Sequence, residues 1–119
     1  MIAIFSDDFG DSLKKHAALK KIVQKKVDMI LQNPIGLGEP LKGNFRGYYG
    51  VPVKKNFLII YLYCLSCRRR GDNEIVLCHD CSSFADETVK FVDFGPHDHA
   101  YRFLSLSMHG KVGNSDKGP

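Results

Sequence analysis

The sequence predicts an α+β fold, a largely antiparallel sheet with helices on one face. Apolar residues with a helical period fill the first third of the chain. β-type runs fill the middle and the far end, and the two patterns do not alternate as they would in a parallel βαβ array. The size agrees: 119 residues, 44% hydrophobic and 25% charged, with eight Phe, five Tyr and no Trp, suffice for one core and are too apolar for a disordered chain.

Taken in order, Ile2–Phe5 is a short apolar run that fits a first strand. Ser6–Asp11 reads as a turn, with Asp11 or Ser12 able to cap the next helix. Leu19, Ile22, Val23, Val27, Ile30 and Leu31 then recur at spacings of three and four, the signature of one helical face. One long helix, or two joined near Ala17, should therefore lie between residues 12 and 32. Asn33-Pro34 ends it, because the residue before proline is pushed out of the α region. After a loop rich in Gly and Pro, Arg46–Val53 fits a strand, Lys54-Lys55-Asn56 a turn, and Phe57–Cys64 a strand buried on both faces. Glu74–Leu77 is a weaker strand and Thr88–Phe94 a good one. Residues 1–106 are expected to form a single domain and residues 107–119, poor in apolar side chains, a flexible tail.

The charge is modest in sum and uneven in place. Seventeen Lys and Arg face thirteen acids, a net charge of +4. The first 60 residues hold ten basic and five acidic side chains, the rest seven and eight. Six lysines and no acid fall between Lys14 and Lys26, with Lys14, Lys21 and Lys25 on one stripe opposite Val23 and Ile30. Such a stripe is either a solvated outer face or a contact for the phosphates of a nucleic acid. The longest apolar run, Phe57–Leu65, is nine residues, too short to span a bilayer, and MIAIFSDDFG lacks the basic segment and cleavage site of a signal peptide. The expected setting is a reducing cytoplasm, with no membrane partner.

In that setting paired cysteines bind metal more often than they form disulfides. Cys64-x-x-Cys67 and Cys78-x-x-Cys81 form CxxC-x10-CxxC, with Arg68-Arg69-Arg70-Gly71-Asp72-Asn73 between them as a natural hairpin tip. Two thiolates three apart grip one ion, and two such knuckles close a tetrahedron around Zn2+. The expectation is a closed, structural zinc hairpin over 64–81, with no open coordination position for catalysis. Thiols packed in a core, or a redox CxxC, are the other readings of the same spacing.

Three ordered stretches resemble the RelE/ParE superfamily of type II toxin–antitoxin toxins. The first is the N-terminal strand followed by the lysine-rich helix with Ser12-Leu13-Lys14-Lys15. The second is LKGNFRGYYGVPVKKNFLIIYLYC, residues 41–64, similar to the superfamily's strand pair ending in LIIY. The third is FGPHDHAYR, residues 94–102, which resembles the G-x-H-x-x-x-aromatic ending of the YafQ-like branch. The resemblance implies a RelE-like fold elaborated by the cysteine hairpin. It also implies an endoribonuclease that cuts mRNA in association with the ribosome, without a metal or other cofactor in its chemistry, and that a cognate antitoxin holds inactive. It further implies His97 as general acid or base and Tyr101 as the aromatic that stacks on a base or orients the scissile phosphate. Arg46, Lys54 and Lys55 become the basic groups of the strand pair, and Arg102 a phosphate clamp. Pro52 and Asn56 stand where that branch carries a His and an Asp, which leaves Lys54 or Lys55 to take over. His16 and His109 are set aside as surface residues. The rival readings are a ParE-like gyrase inhibitor without nuclease activity and a zinc-ribbon-like adaptor for nucleic acid or protein.

The cysteine spacing makes a prediction that metal analysis checks. Purified protein should carry one zinc per chain, and a chelator should lower its melting temperature. Zinc-free protein with an unchanged melt would contradict the site.

Overall fold

The computed structural model describes residues 1–41, 46–54, 56–71 and 83–96. The chain runs β1 (Ile2–Phe5), α1 (Asp7–Lys15), a 3-10 turn (Ala17–Leu19), α2 (Lys20–Gln32), β2 (Glu39–Pro40), β3 (Tyr49–Val53), β4 (Phe57–Tyr63), α3 (Cys64–Arg69) and β5 (Thr88–Pro96). The strands form one sheet in the order β1-β5-β4-β3-β2. The α+β class holds, with one correction: the sheet is mixed, because β1 pairs parallel to β5, from Ile2 opposite Thr88 to Phe5 opposite Phe91. β1 and β2 are the two edges, so the helical stretch between them carries the chain across one face of the sheet and covers it on the way.

The helices begin and break at points the apolar period does not mark. Ser6, not Asp11 or Ser12, is the N-cap: its hydroxyl accepts from the Phe9 N–H at 3.0 Å and donates to the Val92 carbonyl. Asp7 and Asp8 then lie in the first turn, where the helix dipole favours acids, and Lys14 and Lys15 in the last, where it favours cations. Of the two readings of residues 12–32, the pair of helices joined near Ala17 is the one found: α1 stops at His16 and a 3-10 turn leads into α2. Val23, Val27 and Ile30 of α2 are buried, as the period requires.

β4 is the central strand. Its alternate residues Ile59, Tyr61 and Tyr63 join Phe9, Val23, Val27, Ile30, Val89, Phe91 and Phe94 in the core under the helices. Leu58, Ile60 and Leu62 point the other way, into a smaller cluster with Tyr48, Cys64 and Cys67. A bulge shifts the β4–β5 register between Ile60, opposite Asp93, and Tyr61, opposite Phe91. The extra residue lets Phe91 and Phe94, three apart, both reach the helix side. β3 begins at Tyr49 instead of Arg46, which lies with Gly47 in a turn where Gly47 takes φ 98. β4 stops at Tyr63, so Cys64 starts a helix, and Arg68 and Arg69 end that helix instead of opening a hairpin tip. The predicted strand at Glu74–Leu77 and the predicted tail over 107–119 lie outside the described residues. Among the described residues, no helix is long and apolar enough to cross a membrane.

Tyr61 fastens the loop after α2 to the sheet. It is fully buried, stacks on Tyr49 at 5.3 Å, and donates its hydroxyl to the Pro34 carbonyl at 2.6 Å. Gly38 passes so close that a Cβ there would collide with the Tyr61 hydroxyl. Burial pushes the phenol above its ordinary range, outweighing a Gly38 backbone hydrogen bond that pulls it down. A phenol with a raised folded-state pKa adds stability that is complete below its unfolded value of about 10 and is lost as pH rises beyond it. Tyr61→Phe should therefore cost about 1–3 kcal/mol at neutral pH by stranding the Pro34 carbonyl. It should also unfold less steeply with alkali than the parent. Equal alkaline slopes in pH-dependent melts would contradict the role given to this hydroxyl.

Candidate active site

One end of the sheet gathers the groups suited to chemistry. The β3–β4 register sets Val53 opposite Phe57, and the β4–β5 register sets Phe57 opposite Pro96. The Lys54 turn and the last residue before His97 therefore share this end. Lys54 and Asn56 are exposed there. Lys54 has φ 54, the left-handed region that a lysine adopts at a cost, so the turn spends local stability to present this cation. β2 pairs only with Tyr49 and Gly50. Among the described residues, no strand lies on the outer side of β3 at Pro52, where a proline is tolerated.

Above Phe57 lies His16. Its backbone N–H closes α1 on the Ser12 carbonyl at 2.9 Å, and its own carbonyl accepts from Leu19 at 2.9 Å as the 3-10 turn begins. The break fixes the side chain in place. The imidazole meets Phe57 edge-on at 4.8 Å and Phe94 at 6.1 Å, and the residue is half-buried, not the surface histidine the sequence suggests. One turn back, the Ser12 hydroxyl lies 3.5 Å from a carboxylate oxygen of Asp93, which is buried at the bulge. No periodicity or motif marks His16; the signal is tertiary, through Phe57.

The remaining candidates divide. Arg46 is exposed at the opposite end of β3 from Lys54, so the structure does not bring these two together. Lys14, Lys21 and Lys25 are all exposed, but the break at His16 splits their stripe, leaving Lys14 on α1 and the other two on α2. His97, Tyr101, Arg102 and Lys55 lie outside the described residues. A groove of about 180 Å³ opens between α1 and α2, lined by Phe5, Phe9, Leu13, Val23 and Val27. Lys20 and Gln24 also line it, and its walls are mostly apolar.

At the far end of β4, Cys64 and Cys67 occupy the first turn of α3, both buried. Three residues apart on a helix, they share a face. Arg68 of the same helix binds the Asp86 carboxylate at 2.6 Å and the Phe84 carbonyl at 2.7 Å, and the Leu65 N–H donates to the Asp86 carbonyl at 2.9 Å. The chain that returns after Cys81 is thereby held to the helix that carries the first cysteine pair. Cys78 and Cys81 lie outside the described residues, and among the described residues no cluster of three metal-ligating side chains occurs.

No protein-family model matches the chain, and no curated protein does. Solved structures do. YafQ from E. coli strain BL21(DE3) superposes with a TM-score of 0.57 at 14% identity, over 83% of this chain and 96% of its own. A YoeB/ParE toxin from Agrobacterium tumefaciens gives 0.58 at 16% identity, over 82% and 99%. The toxin–antitoxin complex RelBE2 from Mycobacterium tuberculosis gives 0.54 at 15% identity, over 80% and 95%. At these identities the likeness carries the fold, and the fold is the RelE/ParE-like toxin fold.

The Lys54 backbone yields a stability prediction separable from activity. Lys54→Gly should melt as high as the parent or up to about 1 kcal/mol higher, whereas Lys54→Thr, β-branched in a left-handed position, should melt lower. A glycine variant less stable than the threonine variant would contradict the strained turn.

Proposed function

We propose that this chain is the toxin of a type II toxin–antitoxin pair and that it cleaves messenger RNA, most effectively at the ribosome. In the reaction, the 2′-hydroxyl attacks the adjacent phosphorus, a 2′-O–P bond forms and the P–O5′ bond breaks. The products are a 2′,3′-cyclic phosphate and a 5′-hydroxyl. One group takes the 2′-hydroxyl proton and another gives a proton to the leaving oxygen. His97, an imidazole whose ordinary pKa of about 6.5 suits transfer at neutral pH, carries one of these steps. Lys54 and Lys55 counter the charge that grows on the phosphate, Arg102 clamps it, and Tyr101 stacks on a base. Arg46 and the lysines Lys14, Lys21 and Lys25 serve as outlying contacts to the RNA backbone.

The observation that carries this reading is the shared end of β3, β4 and β5. Its register sets an exposed lysine turn on one side of Phe57 and Pro96, the residue bonded to His97, on the other. The toxin fold supports it independently. A cognate antitoxin is supported by the toxin–antitoxin complex among the structural neighbours. In the same proposal Cys64, Cys67, Cys78 and Cys81 hold a structural Zn2+ that staples the stretch after α3, with no part in the chemistry. The buried, cofacial pair on α3 supports that arrangement.

The test is growth. Expression of the chain alone should arrest a bacterial host, and His97→Ala should relieve the arrest while melting at the parent's temperature. Persistent arrest by a folded His97→Ala protein would remove the nuclease reading and favour a gyrase inhibitor, which needs no proton-transfer group.

A further inference from the structure

His16 is half-buried at the end of α1, packed against the strand end and partly open to solvent. Here Phe57 and Phe94 hold the ring by edge-to-face contact, and among the described residues no donor or acceptor meets its nitrogens. The ring packs on two phenylalanines and is partly exposed to solvent. Its position is equally specific. Phe57, against which it packs at 4.8 Å, is the register partner of Pro96 and closes the Val53–Phe57 turn that exposes Lys54.

The surrounding charge selects the ligand. Lys14, Lys15, Lys20 and Lys21 are exposed within five residues of His16, and no acid occurs in the sequence from Ser12 to Val27. Among the described residues, Asp93 is buried with a carboxylate oxygen 3.5 Å from the Ser12 hydroxyl, and exposed Asp11, five residues before His16, is outnumbered by the four lysines. A pre-positioned imidazole N–H in a cationic surrounding suits a phosphodiester oxygen.

We propose that His16 is a further substrate-contacting residue of this site, its imidazole donating a hydrogen bond to a phosphate oxygen of the RNA strand. The inference rests on the RNA-directed reading above and adds to it a residue from the helical layer, so that the RNA lies across the α1 end as well as the strand turn. A phosphate held there gains a contact that fixes the strand relative to the Lys54 turn.

His16→Phe separates this role from a structural one, because phenylalanine keeps the ring packing on Phe57 and Phe94 and removes the donor. His16→Gln keeps a donor and removes the ring. The measurements are the melting temperature, the affinity for a non-cleavable 2′-O-methyl oligoribonucleotide, and the cutting of mRNA in a translation reaction. The proposal expects His16→Phe to melt within about 2 °C of the parent yet bind the oligonucleotide about tenfold more weakly. It expects His16→Gln to recover part of that affinity. A His16→Phe protein that binds and cuts like the parent overturns the proposal and leaves the nuclease reading standing. A parent protein that neither binds the oligonucleotide nor cuts translated mRNA overturns both. Loss of melting temperature in His16→Phe without loss of affinity assigns His16 to the core and overturns the proposal alone.

Discussion

β4 is buried on both faces, and the rest of the structure is arranged to meet that demand. Seven residues, Phe-Leu-Ile-Ile-Tyr-Leu-Tyr, leave no face that water would tolerate. α1 and α2 cover one side, seating Phe9, Val23, Val27 and Ile30 against Ile59 and Tyr61. The other side is closed by Tyr48 and by the α3 cysteines. At roughly 25 cal/mol per Å² of apolar surface, such a strand is worth more to the fold than any polar contact in it. The hydrogen bonds that matter hold covering pieces to it: Tyr61 to Pro34, Tyr49 to Ser66, Ser6 to Val92.

The two ends of β4 consequently acquire different work. Phe57 begins it, beside the Lys54 turn, His16 and Pro96. Tyr63 ends it, where Cys64 and Cys67 start α3. A seven-residue strand separates the two by about 20 Å. The cysteine pair therefore lies far from the lysine turn, which agrees with a role in stability and argues against a direct part in RNA cleavage.

Legibility in the sequence follows locality. β4 and β5 can be read because their β-branched and aromatic runs report burial directly, and the face of α2 because its period does. The start of α1 is hidden by a cap whose partner, Val92, is 86 residues away, although Asp7 and Asp8 are a usable first-turn signal. The break at His16 has no proline or glycine to announce it. β2 consists of two residues that become a strand only through Tyr49 and Gly50, and the parallel pairing of β1 depends on β5 at the far end of the chain. At the site, Lys54 is legible as a turn residue, but its separation from Arg46 follows only from β3 filling the interval between them. His16 escapes a sequence reading because its significance is a contact with Phe57, 41 residues on, that no local pattern encodes.

RNA cleavage by a cation-bearing strand end is the central claim, and mapping of mRNA ends tests it most directly. Primer extension on a translated message, after brief expression of the chain, should reveal new 5′ ends within the coding region that are absent when His97 is replaced. Intact messages in arrested cells would contradict the claim.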